Sequence, residues 1–195
     1  MLVCLTACSG GDGGGRQSVR ISDVDAAMTK AHTLRYEGDA RVGRGPTTQV
    51  SGDVDWSKRY VTVRSKAGNL AIVQEGRGFY LQGPTGQWCQ GSRPLMADAL
   101  PSPIATLAAL RRSGASLTYV GKEKVRGVTT SHYRLGGSDL DVWVDGQDRL
   151  RRLSGTMPQP GTSTESISFR DEFFDFGVQV DATLPPSGTP VCEHA

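Results

Sequence analysis

An excess of charge of either sign is missing from this sequence: 22 Lys plus Arg stand against 20 Asp plus Glu, a formal net charge of +2 at pH 7. A domain that grips nucleic acid draws much of its affinity from a clustered basic surface, so this balance argues against that partner. Long apolar runs are missing too, and nothing approaches the roughly 18 residues of a bilayer-spanning helix. Aromatics make up 7% of the 195 residues and the hydrophobic set only 37%. The second figure does not signal disorder. Counted with glycine and without tyrosine, about 47% of the chain is apolar, inside the roughly 45–50% of soluble globular proteins. A single domain of about 150–180 residues, able to bury a core unaided, is what this length implies.

Catalytic signatures are also lacking. The three histidines are His32, His132 and His194. No GxSxG, HExxH, P-loop or helix-opening GxGxxG surrounds them, so no enzyme, metal or cofactor is expected.

What is present begins at the N-terminus. Leu5-Thr6-Ala7-Cys8 resembles the lipobox of bacterial lipoproteins, in which small residues before a Cys admit the signal peptidase and the Cys thiol then carries lipid. Ser9 to Gly15 follow, rich in glycine, as a flexible tether. A secretory signal needs a charged start and an apolar stretch of about 7–15 residues, whereas only Leu2 to Ala7 precede Cys8. The expectation is a translation start further upstream. The organisation expected is thus 1–8 signal remnant and lipobox, 9–20 tether, 21–195 one domain. On this reading Cys4 leaves with the signal and Cys8 is alkylated. Cys89 and Cys192 remain, and their pairing would suit an exported protein. Neither has a CxxC partner, which disfavours a metal or catalytic thiol. Arg outnumbers Lys by 17 to 5, a bias that GC-rich genomes tend to produce and that suggests an actinobacterial source.

Hydrophobic periodicity then divides the chain. Ser22-Asp23-Val24-Asp25 looks like a capping box, and Val24, Ala27, Met28 and Ala31 recur at helical spacing, predicting a helix over about 22–32. From Leu34 to Leu81 the period is two, with turn signals between short runs, which predicts about five antiparallel strands with one wet face. Gly83 to Cys89 reads as a loop. Ser102 offers an N-cap and Pro103 a first helical residue, with Ile104, Leu107, Ala108 and Arg111 on one face before Gly114, predicting a helix over about 103–112. Strand alternation returns from Leu117, with Asp145-Gly146 as a hairpin signal, and about six strands follow before the Pro-rich tail.

Two charge patterns need weighing. Asp53/Asp55 and Asp139/Asp141 put carboxylate pairs on one strand face each, the spacing of an acid/base or cation site. A solvated sheet face opposite Val54/Trp56 and Leu140/Val142 explains them more simply. Arg149, Arg151 and Arg152, with Arg111 and Arg112, could meet lipid phosphates or an anionic membrane, and ordinary surface charge is again the simpler expectation.

The lipobox, the two antiparallel blocks split by a helix, Val142-Trp143-Val144-Asp145-Gly146 with Leu150-Arg151-Arg152, and Phe174-Asp175-Phe176-Gly177-Val178 together resemble the actinobacterial LppX/LprA/LprF/LprG lipoproteins. More distantly the layout is similar to LolA/LolB-type carriers. The resemblance covers roughly residues 20–183. It implies an α+β fold, a curved antiparallel half-barrel of about 11 strands with helices packed on its concave face. It also implies a protein held at the extracytoplasmic face of the cell membrane through acyl chains on Cys8, carrying an acylated lipid or glycolipid as a monomer. Val54, Trp56, Val61, Val63, Ile72, Phe79 and Leu81 would line the cavity, with Leu107 and Leu110 from the second helix as a lid. Taken singly, each is better explained by core packing. The alternative of another class is an envelope sensor or interaction lipoprotein, whose cavity is closed and whose partner is a protein.

Overall fold

The computed structural model describes residues 18–66, 70–74, 78–83, 85–91, 102–114, 116–158, 165–180, 185 and 188–192. Cys8, the lipobox and most of the tether lie outside them. The first helix, α1 (Ile21–Ala31), leads into β1 (Thr33–Val42), β2 (Thr48–Asp55), β3 (Tyr60–Ser65), β4 (Leu70–Gln74), β5 (Gly78–Gln82) and β6 (Trp88–Gln90). Helix α2 (Pro103–Ser113) follows, and then β7 (Leu117–Val125), β8 (Val128–Leu135), β9 (Leu140–Asp145), β10 (Leu150–Pro158) and β11 (Ser166–Phe174).

One sheet holds all eleven strands in the order β6-β5-β4-β3-β2-β1-β11-β10-β9-β8-β7. Every neighbouring pair is antiparallel, and β1 closes against β11 at the centre. The end strands β6 and β7 do not pair, so the barrel stays open. This is the expected α+β half-barrel of about 11 strands. Six strands precede α2 and five follow it, rather than five and six. The loop expected around Trp88 and Cys89 contains β6, and the apolar run after Phe174 is no strand, because Asp175 and Gly177 take positive φ and turn the chain.

The face bearing the helices, called inner here, is set by alternation. Along β1, Leu34 and Tyr36 are buried between exposed Arg35 and Glu37; on paired strands Val54, Val61, Val144, Leu150 and Phe173 join them in one apolar cluster. Helix α1 adds Ile21, Val24 and Met28, and α2 adds Ile104, Leu107 and Leu110. Two inner-face glycines are required by close approach. A Cβ on Gly52 would stand 1.9 Å from the Thr62 carbonyl oxygen and 2.8 Å from the Tyr36 ring; one on Gly38 would stand 2.1 Å from an Asp171 carboxyl oxygen.

The helix ends follow from their sequences unequally. Ser102 caps α2, accepting from the Ala105 N–H at 3.4 Å, Pro103 opens it, and Gly114 ends it in the left-handed region. The capping box expected for α1 does not form. That helix starts one residue earlier, after Arg20, without a side-chain cap, and Asp25 is drawn away to the Trp56 indole and the Arg111 guanidinium.

The expectation of one wet face does not hold throughout: on the outer face Asp55 and Tyr60 are buried at the β2–β3 turn, and the β7–β8 region departs further. A register shift between Tyr119 and Gly121 breaks the β7–β8 ladder, and the hairpin tip, Arg126, pairs with Glu37 and Glu172 and lies 3.9 Å from the Phe174 ring centroid. Val125, His132 and Trp143 are buried there although they belong to the outer face.

Candidate functional site

The inner face is the candidate site, and its chemistry starts from which apolar residues converge. Val54, Trp56, Val61, Val63, Leu107 and Leu110 are all buried in one cluster, and Leu81 packs against its margin. Pairing puts Ala71 in line with Val63 and Leu81, while Ile72 stands opposite Thr62 and Tyr80; Phe79 stands opposite Val73. The side chains of Ile72 and Phe79 lie outside the described residues.

Helices α1 and α2 are joined over this surface by a polar node. Asp25 accepts from Arg111 Nη1 at 2.9 Å and from Trp56 Nε1 at 3.2 Å. The node ties both helices to the end of β2. Met28 anchors α1 from below, its sulfur 3.3 Å from the Leu150 N–H.

One inner-face position breaks the apolar pattern. Ile167, Phe169, Asp171 and Phe173 alternate along β11, all buried, and Asp171 is 1% exposed. Both of its carboxyl oxygens lack a hydrogen-bond partner among the described residues. Burial, then the nearby Asp39 carboxylate, pushes its pKa up to about 8. The Tyr36 phenol donates to the Thr62 carbonyl at 3.0 Å, and burial together with Asp171 and Asp53 pushes that phenol up as well. Sequence reading singled out the exposed-looking Asp pairs and missed Asp171. The signal was there: an aspartate at an apolar phase of the β11 alternation.

The carboxylates and arginines chosen from sequence have other duties. Asp55 is buried, not solvated. It accepts from the Ser57 hydroxyl at 2.6 Å and the Lys58 N–H at 3.0 Å, building the β2–β3 turn. Burial raises its pKa, but these bonds outweigh it and hold the carboxyl below its usual value. Asp141 accepts from Arg134 and lies 2.9 Å from His132 Nε2, while Asp139 is exposed.

Arg151 and Arg152 are 11% and 12% exposed in their side chains, not ordinary surface charges. Arg149 and Arg151 both donate to Asp145, at 3.0 and 2.8 Å, and lie over the Phe176 ring. Arg152 donates twice to Glu172 and stacks over Trp143. For Asp145 and Glu172 burial raises the pKa, and the arginine bonds outweigh it. Guanidinium groups so occupied are poor ligands for lipid phosphate.

On the outer face, His132 stacks on Trp143 at 4.2 Å, with Nδ1 3.2 Å from Glu123 Oε1 and Nε2 2.9 Å from Asp141 Oδ1. The same face carries an open groove of about 750 Å³ whose side chains include Glu37, Asp39, Gln49, Arg64, Lys66 and Arg170.

The expected pairing of Cys89 with Cys192 is present as a disulfide. It fastens the C-terminal segment beside β6, where Gln90 donates to the Pro190 carbonyl at 2.7 Å and Cys192 donates back to Gln90 at 2.9 Å.

Fold and site together define an open antiparallel half-barrel with an apolar, helix-covered inner face. No family model and no curated protein matches the chain. Among solved structures it is similar to a LolA superfamily protein from Nitrosomonas europaea, with 11% identity over 85% of this chain and 93% of that one and a TM-score of 0.38. It is similar to an uncharacterized conserved protein from Thermus thermophilus, with 11% identity over 88% and 97% and a TM-score of 0.43. It is also similar to a chain of the Pseudomonas aeruginosa MucA/MucB complex, with 15% identity over 82% of this chain, 59% of that one and a TM-score of 0.39. Likenesses this distant assign neither ligand nor partner.

Proposed function

We propose that this protein is a lipid-anchored, extracytoplasmic binding protein that lodges an acylated lipid or glycolipid between the inner face of its sheet and its helices, and releases it without covalent chemistry. The observation that carries the reading is a mismatch of coverage. Ten strand spacings of about 4.8 Å make a sheet roughly 48 Å across, and each eleven-residue helix is only about 16 Å long. Among the described residues, two such helices span only part of a sheet that wide. The buried cluster is packed in the described state, so loading requires α2 to swing away and let acyl chains replace Leu107 and Leu110. Each CH₂ buried is worth about 0.8 kcal/mol against water and recovers nearly the same from a bilayer. Exchange between membrane and protein is therefore close to neutral, as a carrier requires.

The anchor rests on Leu5-Thr6-Ala7-Cys8 and the tether; two or three acyl chains hold a protein stably where one does not. The disulfide suits an oxidising compartment. The test is uptake of a fluorescent fatty acid or diacylglycerol from vesicles. The reading expects saturable uptake, abolished when α2 is cross-linked to α1 through cysteines introduced at Asp25 and Arg111 and restored by reduction. Uptake unaffected by the cross-link would remove the lid, and no uptake at all would remove the carrier.

The charged outer groove favours a second reading, an envelope sensor that presents this face to a protein partner. Under it, Arg64→Glu with Lys66→Glu abolishes function in the host while acyl uptake stays intact.

A further inference from the structure

The polar end of a bound lipid needs a partner inside an apolar site, and among the described residues two inner-face groups are unclaimed, the Asp171 carboxyl and the Ser65 hydroxyl. Asp171 sits between Phe169 and Phe173, with both carboxyl oxygens buried and unpartnered among the described residues. It leans across β1, since one oxygen lies 2.1 Å from where a Gly38 Cβ would be; any side chain there would displace it. The paired line continues from Gly38 through Val50 to Ser65, whose hydroxyl is also buried and unpartnered. Neighbouring groups offer Asp171 nothing: Tyr36 is committed to the Thr62 carbonyl, β10 places Leu153 opposite, and Arg152 and Arg170 are tied to Glu172.

Leaving such a group unpaired costs about 1–3 kcal/mol, and an apolar residue would avoid that loss. Polar groups stranded in this way call for a specific explanation. We propose that Asp171 is the polar contact of the lipid site, its carboxyl donating a hydrogen bond to an acyl carbonyl in the uncharged, diacylglycerol-like part of the ligand. The inference rests on the carrier reading above. An anionic head group would be the wrong occupant. Its oxygens would face Asp171 and, beyond it, Asp39, with no cation among the described residues acting on them from the inner face. A neutral carboxyl is an O–H donor, and burial with the nearby Asp39 pushes the Asp171 carboxyl up to about 8, toward the protonated form. The other titratable group coupled to it is Tyr36, itself raised.

The experiment measures binding of pyrene-labelled diacylglycerol, presented in phosphatidylcholine vesicles, to the full chain at pH 6.5 and 9.5. Wild type is expected to bind roughly tenfold more weakly at pH 9.5, where the donor is lost. Asp171→Asn, which keeps an N–H donor, is expected to bind at both pH values with no difference between them. Asp171→Leu is expected to lose roughly tenfold at pH 6.5, with circular dichroism confirming its fold. If Asp171→Leu binds like wild type, or if wild type and Asp171→Asn share one pH profile, the contact is overturned and the carrier reading stands. If wild type binds no diacylglycerol or fatty acid, both fall together.

Discussion

Asp145 and Asp171 are both buried carboxylates, and their surroundings differ in every respect. Asp145 accepts from the backbone N–H groups of Gln147 and Arg149 and from two guanidinium groups; Asp171 accepts from nothing among the described residues. Their effects on stability therefore run in opposite directions with pH. Asp145 is held below its usual value, so its contribution is present above the unfolded pKa and lost as pH falls through the folded one. Asp171 is raised from 3.8 to about 8. Between those values the folded state holds a proton that the unfolded state has released, so stability falls as pH climbs through that window. Urea unfolding from pH 4.5 to 8 should show a smaller decline for Asp171→Asn than for wild type; equal slopes would contradict the buried, unpartnered carboxyl. Arg151→Gln leaves Asp145 short of its best partner and is expected to lose about 2–3 kcal/mol. Liposome association should not change, because the guanidinium is already occupied. Reduced association in a correctly folded variant would restore a phosphate-binding role.

At the scale of elements, the strands were the most legible part of the sequence. Val54/Trp56 and Val61/Val63 announce their face by alternation alone, and Ser102-Pro103 with Gly114 mark α2 to within a residue, because each supplies the group that its position needs. The misses have physical causes. β6 has three residues, too few for a period, and is held by pairing to β5 and by the Cys89–Cys192 tie. The β7–β8 bend depends on a register shift that no local pattern reports, and it buries His132 and Trp143 on the face expected to be wet. Asp25 suited a capping box, but a guanidinium 86 residues away took it. The disulfide joins residues 103 apart in sequence, and replacing both cysteines with serine is expected to cost about 2–5 kcal/mol in unfolding experiments. A loss within error would mean that the segment adds little beyond its backbone bonds. Ser102→Ala should cost about 1 kcal/mol and, since α2 is the proposed lid, speed lipid exchange. Slower exchange would argue against lid motion.

Across the described residues, an eleven-stranded open sheet and two helices enclose one buried apolar cluster. Of the residues that sequence suggested for lipid contact, Val54, Trp56, Val61, Val63, Leu107 and Leu110 pack together in that cluster. Under the proposed carrier reading this is the unloaded state, in which protein side chains stand in for acyl chains of nearly equal free energy per CH₂. The outer face is the reverse, with Arg126, Arg152, Glu37 and Glu172 linked across its strands and a charged groove beside them. Under the carrier reading the inner side takes the lipid and the outer side faces water or a protein. The measurement that bears most directly on the carrier reading is native mass spectrometry, with organic extraction, of the protein purified in mild detergent from its own host. The account predicts one acylated lipid per chain, released on denaturation and replaced by added diacylglycerol. A lipid-free protein that also takes up no fluorescent acyl probe would contradict it.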